Sequence, residues 1–197
     1  MNMPAEMIPP GKLKIVNAMR TLLEDRAFET ITIAELASTA GVTEGLIYKY
    51  FKDKRDLLHH VLKDHYEMFL AQIDRDLKGI DGALNKLKKI IWSSIERYAN
   101  HKVFARIILL EARTSDRYFK TDAYALVRKF NRIILDIISE GIASGEIRSD
   151  LPPAYIRNAL FGAIEHSCIN RVIFNEDVST DDTAKYITDL LFKGIIA

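Results

Sequence analysis

Residues Thr32 to Phe51, TIAELASTAGVTEGLIYKYF, constrain the fold of this chain more than any other stretch. Thr32 and Glu35 stand at the spacing of a capping box, in which hydroxyl and carboxylate reciprocally satisfy backbone donors at a helix start. The helix predicted over Ile33 to Thr39 buries Ile33, Leu36 and Ala37. Gly41 ends it, because a tight turn needs the left-handed conformation that glycine adopts without steric cost. Thr43 is placed to cap a further helix over Glu44 to Tyr50. Its Ile47, and Phe51 four residues on, face the same core as Leu36 and Val42. Two helices meeting at a steep angle need a small residue where they approach, and Ala37 supplies it.

Apolar residues recur at helical spacing on both sides of this unit. Leu13, Val16, Met19, Leu22 and Leu23 predict a helix over Lys12 to Asp25. Asp53 and Asp56 favour a helix starting near Lys54, since acids stabilise a helix N-terminus. The stripe Leu57, Leu58, Val61, Leu62, Tyr66, Phe69, Leu70 and Ile73 carries that helix to about Leu77. Gly79 and Gly82 punctuate its exit. Further helices are predicted over Ala83 to Tyr98, Val103 to Ala112, Tyr118 to Ser144, Pro153 to Phe174 and Thr180 to Ile196. The expected fold is all-α with about nine helices. Its parts are an arm over residues 1–11, a helix-turn-helix domain over 12–58, a linking stretch of long helix over 59–78 and a second helical domain over 79–197.

Composition supports this and sets bounds. Glycine (9) and proline (5) are scarce among 197 residues, which favours long helices over a turn-rich β architecture. One cysteine, Cys168, precludes an intramolecular disulfide and a cysteine-cluster zinc site. No apolar run approaches the roughly 18 residues that span a bilayer. The first residues lack the basic-then-apolar pattern of a secretory signal. A cytoplasmic protein away from the membrane is expected. The net charge of +1 lends no support to nucleic-acid binding, so any such case must rest on local arrangement. Locally, Lys49, Lys52, Lys54 and Arg55 cluster at the start of the long helix.

The predicted packing leaves Thr43, Glu44, Gly45, Tyr48 and Lys49 on the outer face of the third helix. In helix-turn-helix units the N-terminal part of the second helix of the pair meets base edges in the major groove. Gly45 lets a backbone approach closely. Tyr48 and Tyr50 offer hydroxyl donors to phosphates, and Lys54 stands where charge and helix N-terminal amides together favour one. Glu44 either caps its helix or accepts from a cytosine amino group.

Lys12 to Leu58 resembles the DNA-binding domain of the TetR family of transcriptional regulators. Phe28, Thr30 to Ala37, Ala40 to Thr43, Gly45 to Phe51 and Lys54 to Leu58 carry the resemblance. Tyr50 departs from it, standing where many members have histidine. The resemblance implies that Thr43, Gly45 and Tyr48 lie on DNA and that Lys54 contacts a phosphate. It implies that Thr32 holds another phosphate and that Tyr50 is the aromatic position before the core phenylalanine. It further implies a C-terminal domain that binds an effector and dimerises. No cofactor is expected, and a two-fold dimer with two recognition helices predicts a roughly palindromic operator.

Within Ala83 to Phe174, Trp92, Tyr98, Phe104, Tyr124, Phe130 and Phe161 are interleaved with aliphatic residues. Polar groups on apolar helix faces stand out, because burying them unpaired is costly. Glu111 follows Ile107 to Leu110. Glu165, His166 and Asn170 follow Leu160 to Ile164, with Arg113 and Arg171 as possible partners. They form either an internal polar network or the anchors of a mostly apolar pocket. The candidate effector residues are Trp92, Ile108, Glu111, Tyr124, Phe161, Glu165 and His166. Leu160 to Phe174 also resembles a helix of TetR-type regulators of fatty acid metabolism, which implies an acyl-CoA or another long apolar effector. Planar hydrophobic compounds are the other class.

Small residues Ala159, Gly162, Ala163 and Ser167, with Ile187, Leu190, Leu191 and Ile195, suit a four-helix homodimer bundle built from the last two helices. An enzyme is disfavoured: Glu165 and His166 point about 100° apart on a helix, and neither a zinc-type histidine pair nor a phosphate-cradling glycine loop is present. Control by a protein partner without a small effector is the other alternative.

Overall fold

The computed structural model describes residues 8–174 and 176–197. Among these residues there are nine α-helices: α1 Pro10–Asp25, α2 Ile33–Ala40, α3 Glu44–Tyr50, α4 Lys54–Leu77, α5 Ala83–Asn100, α6 Lys102–Arg106, α7 Asp122–Ser144, α8 Pro153–Ile173 and α9 Thr180–Ile195. The expected arm falls partly outside the described residues. Pro10 and Gly11 already belong to α1, where a proline in the first turn costs little. The chain forms two compact units, and the division falls inside α4, between His65 and Tyr66.

The N-terminal unit is held by α1, α2, α3 and the first turns of α4. Ile15, Val16, Ala18, Met19 and Leu23 form the buried face of α1. Leu13, expected on that stripe, is 45% exposed. It lies six residues from Met19, about 120° away around the helix. Phe28, Ile31, Leu36, Ala37, Ala40, Ile47, Phe51, Leu57, Leu58, Val61 and Leu62 complete the core. Ile33 and Val42 are only half-buried.

In the C-terminal unit α5 is central and packs against α7, α8 and α9. Its buried face carries Ala83, Leu87, Ile90, Ile91, Ser93, Ser94 and Ile95. Gly82 precedes α5 and has no side chain to cap it. Glu146 does so from a distance, its carboxylate accepting from the amides of Ala83 (3.1 Å) and Leu84 (3.3 Å). Gly141 allows the close approach of α7: a Cβ there would sit 2.6 Å from Ile147 Cδ1 and 2.7 Å from Ala83 Cβ. An isolated antiparallel bridge, Ile147 with Ile196, ties the C-terminal residues down.

Two predicted helices are broken. Over Val103 to Ala112, α6 gives way to a π-helical turn at Ile107–Glu111 and a 3-10 turn at Ala112–Thr114. Over Tyr118 to Ser144, a 3-10 turn at Tyr118–Lys120 stops at Thr121. The Thr121 hydroxyl accepts from the Tyr124 amide and so starts α7.

Candidate functional site

The N-terminal unit presents α3 on a framework of caps. Thr32 Oγ1 accepts from the Glu35 amide at 3.2 Å. The reciprocal half of the predicted capping box is replaced, because the Glu35 carboxylate is taken by the Arg26 guanidinium. At the other end of α2, Gly41 is left-handed (φ 63°, ψ 42°). The Val42 amide reaches back to the Ala37 carbonyl at 3.0 Å, and the Gly41 amide to that of Ser38 at 3.1 Å. This is a Schellman closure, which turns the chain sharply into the next helix. Thr43 Oγ1 then accepts from the Leu46 amide at 3.3 Å and starts α3.

Only Ile47 of α3 is fully buried. Thr43, Glu44, Gly45, Tyr48 and Lys49 are exposed, as is Thr32 at the start of α2. A Cβ on Gly45 would meet nothing closer than Thr43 Oγ1, 4.0 Å away, so nothing inside the chain requires glycine there. Tyr50 is half-buried, with the Lys49 ammonium 5.9 Å from its ring. Its side lies towards α1, where a Cβ on Gly11 would come within 3.7 Å of the ring.

Lys54 occupies a different position from the one expected. Its ammonium donates to the carbonyls of Phe28 (2.8 Å), Glu29 (3.2 Å) and Ile31 (2.7 Å), and lies 4.5 Å from the centre of the Phe28 ring. An ammonium has three donors. All three are spent at the end of the 3-10 turn Phe28–Thr30, where the Phe28 carbonyl also accepts from the Ile31 amide. Lys54 therefore fastens the start of α4 to the segment that leads into α2. Nearby, Asp53 Oδ1 accepts from the Asp56 amide (2.7 Å), and Asp56 Oδ2 accepts from the Lys52 amide (3.0 Å). Asp53 thus caps the start of α4, and Asp56 reaches back to the amide of the residue before that cap.

The C-terminal unit holds two neighbouring cavities, both partly open to solvent. The deeper, of about 50 Å³, is lined by Tyr66, Phe69, Ser94, Arg97, Tyr98, Ile108, Arg113, Val127, Phe130, Phe161, Ile164 and Glu165. The outer, of about 250 Å³, shares Tyr66, Arg113, Val127, Phe161 and Glu165 with it and adds Tyr118, Phe119, Tyr124, Asn131, Arg157 and Asn158. The five shared residues form the partition. Arg113 Nη1 donates to Glu165 Oε2 at 2.8 Å and Nη2 to Oε1, a bidentate pair that raises the guanidinium pKa above its ordinary value. Tyr66 and Tyr118 share a hydrogen bond of 3.1 Å between hydroxyls, and burial holds both phenols above the usual range. The Arg97 guanidinium lies 4.6 Å from the Tyr66 ring and 4.2 Å from the Phe69 ring. Burial lowers its pKa. Burial likewise holds the Tyr98 phenol well above its usual value.

The structure thus brings together Ile108, Tyr124, Phe161 and Glu165 of the expected effector residues. Trp92 stands apart: its indole donates to Asp181 Oδ1 at 2.8 Å, and its ring lies under the Lys89 ammonium at 4.3 Å in a groove between α5 and α9. It sits five residues before Arg97, about 140° away around α5. His166 is exposed and lines neither cavity, being about 100° around α8 from Glu165. Glu111 lines neither, though its Oε2 is buried. Arg171 turns away from the cavities and donates to the Asp177 carbonyl at 2.5 Å. Ser94, Arg97 and Tyr66 were missed by sequence reasoning. Ser94 and Arg97 carry the same signal that marked Glu165, a polar side chain within an apolar helix stripe.

Comparison with known proteins accounts for both units. Residues 15–61 match the family model of bacterial regulatory proteins of the tetR family, and residues 62–194 match that of the YsiA-like C-terminal region. The fatty acid metabolism regulator protein of Bacillus subtilis is 26% identical over 186 residues, 94% of this chain and 96% of its own length. The transcriptional repressor KstR2 of Mycolicibacterium smegmatis is 26% identical over 139 residues, 70% of this chain and 68% of its own. The crystal structure of FadR from Bacillus subtilis in complex with stearoyl-CoA superposes with a TM-score of 0.81 at 27% identity, covering 93% of this chain and 98% of that one. This chain belongs to the TetR family of DNA-binding transcriptional regulators, and its relatives and fold are those of regulators rather than enzymes.

Proposed function

We propose that this TetR-family regulator is a cytoplasmic repressor that binds a palindromic operator as a homodimer and releases it when an acyl-CoA-like effector enters the C-terminal unit. The observation that carries the reading is the paired cavity. A chain that only clamps DNA has no use for open space ringed by a buried arginine, an ion pair and aromatic side walls. Such a site suits a mostly apolar ligand oriented by a few polar groups. The similarity to a regulator solved with stearoyl-CoA favours an acyl thioester over planar compounds.

On the DNA side, Thr43, Gly45, Tyr48 and Lys49 meet the major groove, with Glu44 at its edge in the first turn of α3, where a carboxylate favours the helix N-terminus. Thr32 and Tyr50 contact flanking phosphates. Lys54 acts beneath this surface, setting the approach of α2. Two copies pair through α8 and α9. Tyr155 (71% exposed), Tyr186 (60%) and Leu190 (77%) are large apolar side chains left open there. Gly162 offers a close approach, since a Cβ on it would meet nothing within 4 Å.

Selection of bound sequences from random duplex DNA, with native mass spectrometry of the recovered complex, tests the first half. The expected product is an inverted repeat with half-site centres about one helical turn, or a multiple of it, apart. Recovery of unrelated sequences, or of a monomer on DNA, contradicts it.

A further inference from the structure

The inner cavity is walled mainly by apolar side chains, yet it carries polar groups that an acyl tail could not satisfy. It offers Ser94, whose hydroxyl has no hydrogen-bond partner among the described residues although the residue is only 6% exposed. Arg97 and Tyr98 face the same space, and Tyr66 and Phe69 wall it. Burying a hydroxyl unpaired is unfavourable, so a site holding one is stabilised by a guest that pairs with it. About 50 Å³ exceeds the ~10–15 Å³ that one water requires, which leaves room for a group of a few heavy atoms. A plain methyl end placed there would displace water from polar groups and return nothing to them.

We propose that the inner cavity receives an oxygen-bearing end of the effector, a hydroxyl, ketone or carboxylate, with Ser94 and Arg97 as its partners. This rests on the effector reading above and narrows its ligand class: the tail is oxygenated at the end remote from the thioester. The tail passes the partition at Arg113 and Glu165, where the guanidinium is 48% exposed and its carboxylate partner 24%. The exposed part of this pair lets water take over its hydrogen bonds when an entering chain parts it. Arg113 also lies in the 3-10 turn Ala112–Thr114, just after the π-helical turn at Ile107–Glu111, where the ordinary α-helical ladder is already interrupted.

The test compares CoA thioesters of one chain length that differ only at the far end: methyl, hydroxyl or carboxyl. Titration calorimetry with the full-length protein should show the hydroxyl- or carboxyl-ended thioester binding at least about tenfold more tightly than the methyl-ended one, the factor that one charge-assisted hydrogen bond supplies. Ser94→Ala should remove several-fold of that preference, and Ser94→Thr, which retains the hydroxyl, should keep it. Equal or tighter binding of the methyl-ended thioester overturns the proposal. Binding of no thioester at all sinks the acyl-CoA reading instead. The comparison then passes to 2-naphthol against naphthalene. Tighter naphthol binding that Ser94→Ala abolishes upholds the assignment of the inner cavity. Equal binding, or binding of neither, overturns it.

Discussion

Lys54→Ala separates two roles for one residue. The ammonium makes two partly buried hydrogen bonds, to Phe28 and Ile31, and one exposed bond to Glu29. The exposed bond is readily replaced by water and counts for little. Each of the other two contributes about 1 kcal/mol net, allowing for partial solvation. The contact with the Phe28 ring adds roughly 0.5–1 kcal/mol. Removing the side chain should therefore destabilise the N-terminal unit by about 2–3 kcal/mol. Hydrogen exchange followed by mass spectrometry reads this locally. Amides of α2 that exchange through opening of this unit should do so roughly 30- to 150-fold faster in the variant. Amides of α5 should not change. Operator affinity falls as well, because α2 is no longer held in place, while the salt dependence of binding stays near that of the parent. Unchanged exchange in α2, together with a salt slope reduced by about 1, would refute this reasoning. The ammonium would then belong to a DNA phosphate.

Other substitutions probe other parts of the account. Gly45→Ala has room for its methyl and improves helix propensity by up to ~1 kcal/mol, so melting temperature should hold or rise while operator affinity falls; unchanged affinity removes Gly45 from the DNA face. Gly141→Ala forces a methyl against Ile147 and Ala83 and should cost about 1–3 kcal/mol in chemical denaturation, with no loss refuting the tight contact. His60 has its pKa lowered by burial and then by Lys12, with Asp64 opposing. The unfolded chain therefore binds its proton first, and the N-terminal unit should lose stability as pH falls below the ordinary histidine value of ~6.5. His60→Gln should flatten that part of the pH profile, and an unaltered profile would contradict the assignment.

The architecture of the N-terminal unit was largely legible in the chain. Thr32, Gly41 and Thr43 act within four or five residues of themselves, and caps at such spacing leave a pattern. The partners of Lys54 within the chain were not legible, because they are carbonyls more than twenty residues away. Backbone oxygens have no residue type, so no sequence pattern announces them. Glu35 was half misread for a related reason: the guanidinium of Arg26 competes with a backbone amide for the same carboxylate. In the C-terminal unit, polar residues within apolar stripes pointed to Glu165 and, by the same rule, to the neglected Ser94 and Arg97. Trp92 shows the limit of composition. A large aromatic residue in a core helix drew attention by its type, while its angular position on α5 places it outside both cavities. The π-helical turn after α6 had no local signal either, since Ile107 to Glu111 read as ordinary helix.

The central claim is that occupancy of the C-terminal unit governs the grip of α3 on DNA. Fluorescence anisotropy of the selected operator, titrated with stearoyl-CoA against free coenzyme A as control, tests it most directly. The account predicts that saturating stearoyl-CoA weakens operator binding by about tenfold or more, within the usual range of allosteric coupling, and that coenzyme A alone has no effect. Operator affinity unchanged by a thioester that calorimetry shows to be bound would contradict it.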